Sequence, residues 1–194
     1  AQRNQAAMWM NRGDVHLIAG NLPEAKSSYQ KSLQILQPDA SADFDSELTQ
    51  RDLAVVFSKL GEISMAEISQ KEAKTYFLKS LDIYESLIEY NDPEIEGVLL
   101  SDKSVVLNKL GDVAMDETNY GEARRHYEKA LQIRERIARH NPDESGRRAL
   151  KASYLKLARL SLAESDISEA RLKFDSLASF YRPATSKVDW DKQE

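Results

Sequence analysis

The chain has 194 residues, 41% hydrophobic and 30% charged, with 7 Gly, 5 Pro and no Cys. That size asks for one folded unit, and that composition excludes collagen-like, Pro/Gly-rich disordered and purely coiled-coil chains. The missing cysteines exclude disulfide scaffolds, thiolate zinc sites, iron–sulfur clusters and cysteine nucleophiles. The net charge of −5 is unevenly spread: residues 1–120 hold 11 Lys+Arg against 20 Asp+Glu, and residues 121–160 hold 11 against 5. Two electrostatically different surfaces are expected from that asymmetry. No apolar stretch is long enough to cross a bilayer and no secretory leader opens the chain, so the cytoplasm is the default expectation. Ala1 begins abruptly inside a helical pattern, as a piece excised from a longer protein would.

Taken in chain order, the elements are all helical. A first helix stops at Gly20-Asn21-Leu22-Pro23, and a second stops at Gln37-Pro38-Asp39. Leu53, Val56, Phe57, Leu60 and Ile63 mark a third, and Ala73, Phe77, Leu81, Tyr84, Leu87 and Ile88 a fourth, each at three- and four-residue spacing. Asn91-Asp92-Pro93, Asn119-Tyr120-Gly121 and Asn141-Pro142-Asp143 close the next ones. Breaks are expected near 20–22, 38–42, 67–70, 91–94, 118–121, 141–144 and 165–168. Eight helices of roughly 15–22 residues follow, about 25–30 Å long at 1.5 Å per residue. No segment alternates as a strand does. Pro183–Glu194 loses the helical pattern and reads as a polar tail or linker, with Trp190 a candidate docking plug.

Self-similarity organises these helices. Asp52, Val55, Val56, Lys59, Leu60 and Gly61 recur 50 residues later as Asp102, Val105, Val106, Lys109, Leu110 and Gly111. Shifts of 48 and 47 residues find two more copies, through Gly13, Ala25 and Tyr29 and through Leu157, Ala170 and Phe174. Four copies, about 1–40, 41–93, 94–143 and 144–182, fill the chain.

Within each copy the residues resemble the tetratricopeptide repeat, whose signature runs W-x2-L-G-x2-Y, then A-x3-F, then P. The copies read Trp9-x2-Arg12-Gly13 with Ala25-x3-Tyr29, Phe57-x2-Leu60-Gly61 with Ala73-x3-Phe77, Leu107-x2-Leu110-Gly111 with Ala123-x3-Tyr127, and Tyr154-x2-Leu157-Ala158 with Ala170-x3-Phe174. The usual Tyr of the first helix is replaced by His16, Ser64, Ala114 and Ser161, so packing there is lighter. Repeats this long are similar to kinesin-light-chain-like repeats and to bacterial arrays fused to signalling or effector domains. The resemblance implies a right-handed helical-hairpin solenoid, with Ala25, Ala73, Ala123 and Ala170 buried where helices cross closely.

Catalytic constellations are missing. Of three histidines, His126 and His140 stand about 21 Å apart on one helix, too far to share a metal. Paired acids such as Asp43/Asp45/Glu47, Glu94/Glu96 and Asp116/Glu117 fall at loops and helix starts, where they cap and solvate. Neither a Gly-rich phosphate loop nor a nucleophile elbow occurs. No cofactor and no metal are expected, and the chain does not read as an enzyme.

What remains is binding. The resemblance turns the residues beside the Gly/Leu pair into a concave groove: Met10, Asn11, Asp14 and Leu17; Ser58, Lys59, Glu62 and Met65; Asn108, Lys109, Asp112 and Met115; Leu155, Lys156, Arg159 and Leu162. The row Asp14, Glu62, Asp112 fits a Lys/Arg-rich segment with one or two apolar anchors, with (i,i+3) pairs Lys59–Glu62 and Lys109–Asp112 as the plainer reading. A grip on a partner's terminal carboxylate is not expected of so acidic a row. An alternative is a basic patch at Arg134, Arg136 and Arg139, within a basic stretch interleaved by Glu122, Glu128 and Glu135. The partner is then a protein or peptide, or a second copy meeting acidic residues 1–120 with basic residues 121–160 in a homo-oligomer. Nucleic acid and membrane are not expected partners.

Overall fold

The computed structural model describes residues 2–37, 46–90, 93–140 and 144–179. Eight α-helices run in order through them: α1 Gln2–Ile18, α2 Leu22–Leu36, α3 Glu47–Ala66, α4 Gln70–Tyr90, α5 Pro93–Asp116, α6 Tyr120–His140, α7 Glu144–Ala163 and α8 Ile167–Ser179. The breaks expected near 20–22, 67–70, 118–121 and 165–168 fall at the junctions between these helices, while those near 38–42, 91–94 and 141–144 lie wholly or largely outside the described residues. Two lengths depart from expectation, with α5 at 24 residues and α8 at 13. Pro23 sits in the first turn of α2 and Pro93 opens α5, where a missing N–H costs nothing. The tail 183–194, with Trp190, lies outside the described residues.

Each hairpin turns by one device. The chain end of the first helix places Gly20, Ile68, Thr118 or Ser165 in the left-handed region, at φ 77°, 60°, 56° and 61°. The next N–H then reaches back five residues to close the helix, as in Asn21 to His16 O at 2.9 Å and Ser69 to Ser64 O at 2.8 Å. Gly20 adopts that φ freely, whereas β-branched Ile68 is held there by the fold.

Inside a hairpin, a glycine lets an aromatic ring lie against the opposite helix. A Cβ on Gly13 would stand 2.8 Å from the Tyr29 ring, and one on Gly61 2.6 Å from Phe77; Gly111 meets Tyr127 in the same way. Those rings are buried, as are Ala25, Ala73, Ala123 and Ala170 at 0–1% exposure. Ser64, Ala114 and Ser161, the small substitutes for tyrosine, are buried too.

Between hairpins the core is a series of seams. One joins Ala25, Tyr29 and Leu36 to Val56, Leu60 and Ile63. The next joins Phe77, Leu81 and Tyr84 to Val106, Leu110 and Val113. The last joins Tyr127 and Leu131 to Leu150, Leu157 and Leu160. Packing of each hairpin on its sequence neighbours makes an all-α helical-hairpin solenoid. First helices also touch each other directly, α1 on α3 and α3 on α5, so they form the inner wall.

Candidate functional site

The inner wall carries a ladder of ion pairs in repeat register. Lys59 lies 3.9 Å from Asp14 and 3.4 Å from Glu62, Lys109 reaches Glu62 at 3.1 Å, and Lys156 pairs with Asp112. Apart from Lys59–Glu62 within one copy, each lysine meets the acid of the copy before it. The acid row is therefore already matched within the wall. Of the two (i,i+3) pairs expected, Lys59–Glu62 forms, while Lys109 turns back to Glu62 across the seam.

Asp14 and Asp112 have a second task. Each accepts a hydrogen bond from the tyrosine packed on the neighbouring glycine, Tyr29 Oη at 2.6 Å and Tyr127 Oη at 2.7 Å. Burial and these carboxylates raise both phenols above their usual pKa. Where the ring is Phe77, the wall residue is Glu62, which no hydroxyl contacts among the described bonds.

Beside the ladder, Leu17, Met65 and Met115 are half-buried against the three cores, and Leu162 is exposed. Asn11 and Arg159 stand exposed at the two ends of the wall and Ser58 is half-buried within it. Asn108 requires a correction: it is buried, and its amide donates to Ser104 O at 3.2 Å along its own helix. It is no groove residue.

In the basic patch, Arg134 also requires a correction: it is not a surface residue. Arg134 is 8% exposed, and its guanidinium donates to Ser104 Oγ at 3.0 Å, Ala149 O at 2.8 Å and Ser153 Oγ at 2.8 Å. Burial lowers it to about 10. Arg136 is bonded to Glu96 at 2.8 Å, and Arg139 is exposed with its Nε on Glu135 O. The three diverge because Arg134 occupies the repeat position of Leu36 and Tyr84, which points into the seam.

A second ladder runs along the hairpin turns. Lys26 bonds Glu67 at 2.7 Å and lies 3.6 Å from Glu72; Lys74 lies 2.9 Å from Glu122 and 3.7 Å from Glu117; Arg124 pairs with Glu164 and lies 3.9 Å from Glu169. Each cation follows the buried alanine of its helix and reaches the next hairpin. Sequence reading missed this row, although Ala-Lys, Ala-Lys and Ala-Arg recur at the repeat spacing. Beside Glu122, the half-buried His126 has its pKa lowered, by burial first and against the pull of that carboxylate 3.7 Å away.

Between α1 and α2, a pocket of about 280 Å³ is lined by Trp9, Arg12, His16, Pro23, Glu24 and Lys31 among others. Lys31 lies 4.4 Å and Arg12 5.3 Å from the Trp9 ring. Among the described residues, no group of His, Asp and Glu is arranged to hold a metal, and no helix is long and apolar enough to cross a membrane.

Family models described as Tetratricopeptide repeat match residues 6–35 and 104–137. No curated protein matches the chain. Among solved structures, BtubC (BKLC) from P. vanneervenii is 17% identical, with a TM-score of 0.71 over 96% of this chain and 69% of that one. That likeness shows the fold. MamA protein is 12% identical with a TM-score of 0.37, over 93% of this chain and 97% of its own. Pseudomonas aeruginosa pilF is 20% identical with a TM-score of 0.30, over 93% and 94%. Neither of these two scores reaches a shared overall arrangement.

Proposed function

We propose, from the tetratricopeptide-repeat models that match residues 6–35 and 104–137 and the protein–protein interaction or scaffold role such repeats imply, that the chain is a noncatalytic module holding a partner segment along its inner wall. The segment is extended or helical and carries one or two large apolar side chains. One observation carries the reading: Leu17, Met65, Met115 and Leu162 line up one repeat apart beside the ion-pair ladder, three half-buried and the last exposed. Thioether side chains adapt to an apolar anchor, and the matched charges set register without selecting a strongly charged partner. The basic-segment expectation weakens accordingly, since Asp14, Glu62 and Asp112 each already hold a lysine.

The four copies about 1–40, 41–93, 94–143 and 144–182 act as one array in this reading. The test is capture of a partner by the chain, followed by mass spectrometry and repeated with Met65→Gln plus Met115→Gln. Helicity is monitored by circular dichroism. Loss of the captured partner at unchanged helicity supports the wall. Unchanged capture by that variant, and by the triple variant Asp14→Asn, Glu62→Asn, Asp112→Asn, contradicts it.

A further inference from the structure

We infer that the pocket between α1 and α2 binds a small aromatic carboxylate, its ring stacked on Trp9 and its carboxylate held by Arg12 and Lys31. This goes beyond the wall reading and does not depend on it.

Copy one departs from the repeat pattern at the residues that line this pocket. Trp9 aligns with Phe57, Arg12 with Leu60, His16 with Ser64, Ser28 with Tyr76 and Lys31 with Lys79. In copy two the aromatic pair is complete: Tyr76 stacks on Phe57 with ring centroids 6.2 Å apart and planes inclined by 26°, and Lys79 lies 5.4 Å from the Phe57 ring. Copy one keeps the first ring and the lysine, with Lys31 4.4 Å from Trp9. It lacks the second ring, because the side chain there is Ser28, buried and with its hydroxyl donating to Glu24 O at 2.8 Å. Copy three fills the same position with the half-buried His126. In copy one a cavity of about 280 Å³ stands there instead. A ligand ring takes the place of the missing side chain and gains the stacking that Tyr76 has on Phe57.

Charge sets the rest of the ligand. The position of Arg12 is a leucine in the other three copies, where Leu60, Leu110 and Leu157 are 0–2% exposed in apolar seams. A guanidinium at that position suits a carboxylate and not an apolar seam. Arg12 and Lys31 are exposed, and among the described residues neither forms an ion pair. Glu24 is the one carboxylate among the lining residues. Two cations against one acid favour a single negative charge over a polyanion such as phosphate. The half-buried His16 adds a ring nitrogen able to donate to the same carboxylate. A volume at the small end of ligand sites restricts the molecule to about one or two fused rings.

Titration calorimetry of the 194-residue chain with 2-naphthoate tests this. One site per chain is expected, with a shift of the Trp9 indole N–H resonance on binding. Ser28→Tyr supplies the ring that copy one lacks, and Arg12→Leu restores the residue of the other copies. Each should weaken binding about tenfold or more at unchanged helicity. Arg12→Leu, at an exposed position, keeps the test decisive if Ser28→Tyr fails to fold. The neutral analogue 2-naphthalenemethanol should bind about tenfold more weakly than the naphthoate, through loss of the charge-assisted bonds. Absence of naphthoate binding overturns the inference, as does binding indifferent to both substitutions. Displacement of the naphthoate by equimolar inorganic phosphate also overturns it, because the site then takes any anion. The Met65→Gln, Met115→Gln variant should bind naphthoate as the parent does, which separates this result from the fate of the wall reading.

Discussion

The seams within α1–α6 and the junction that holds α7–α8 solve the same packing problem with different chemistry. At one repeat position the first two seams set Leu36 and Tyr84 against the following hairpin, near Val56 and Val106. The last junction sets Arg134 there and Ser153 opposite, bonded to each other at 2.8 Å. Among the described residues no carboxylate pairs with that guanidinium. A buried cation compensated only by neutral acceptors loses more hydration than it regains, so part of this junction contributes little to docking. Inside the last hairpin, Ala158 replaces the glycine, and Phe174 is 42% exposed where the other three rings are sealed. A repeat fold tolerates this because each hairpin answers only to its neighbours.

The largest expected effect breaks the comparison directly. Leu60→Ala opens a cavity in an apolar seam at a fully buried leucine and should cost about 2–5 kcal/mol in urea unfolding. Leu157→Ala at the matching position of the last junction should instead release α7–α8 early, leaving a main transition for α1–α6 near its original midpoint.

Converting the junction to the chemistry of the other seams comes next. Arg134→Leu with Ser153→Val recreates the Leu36–Val56 pairing and should stabilise α7–α8 by about 1–4 kcal/mol, read from the same denaturation curves. Arg134→Leu alone should gain less, since Ser153 would keep a buried hydroxyl without its partner.

Glycine exchange sharpens the contrast within hairpins. Gly111→Ala drives a Cβ into the Tyr127 ring and should cost about 1–3 kcal/mol. Ala158→Gly relieves no such crowding and should cost only about 1 kcal/mol, the helix propensity difference, in the same unfolding assay.

The smallest effect is a pH dependence. The pKa of His126 is lowered on folding, so below its usual value of 6.5 the unfolded chain binds the proton first. Its contribution is complete above that pH and declines as the pH falls toward its folded value. Glu122, whose pKa is lowered by Lys74, then loses its contribution at more acid pH. His126→Gln should flatten the stability profile between pH 7 and 5 and leave the acid limb in place.

Much of this was legible in the sequence, because a repeat is its own alignment. The glycine row, the alanine row and the helix breaks all announce themselves by recurrence. Arg134 did not, since an arginine among Glu128, Glu135 and Arg139 on an amphipathic helix looks solvated until it is set beside Leu36 and Tyr84. Asn108 misled in the same way: its neighbours Lys109 and Asp112 line the wall, but its own position turns inward to Ser104 O. The ion-pair ladders escaped because local spacing favours (i,i+3) partners, while the pairs that form join residues 40–50 apart in sequence, as Lys59 with Asp14 and Lys74 with Glu122. Recurring charges at the repeat spacing were the available signal.

Native-state hydrogen exchange, followed amide by amide over a low urea series, tests the neighbour-only account most directly. Amides of α7 and α8 should exchange through a sub-global opening of lower free energy and smaller urea dependence than those of α3 to α6. Exchange of all eight helices through one global event, with a single free energy and a single urea dependence, would contradict it.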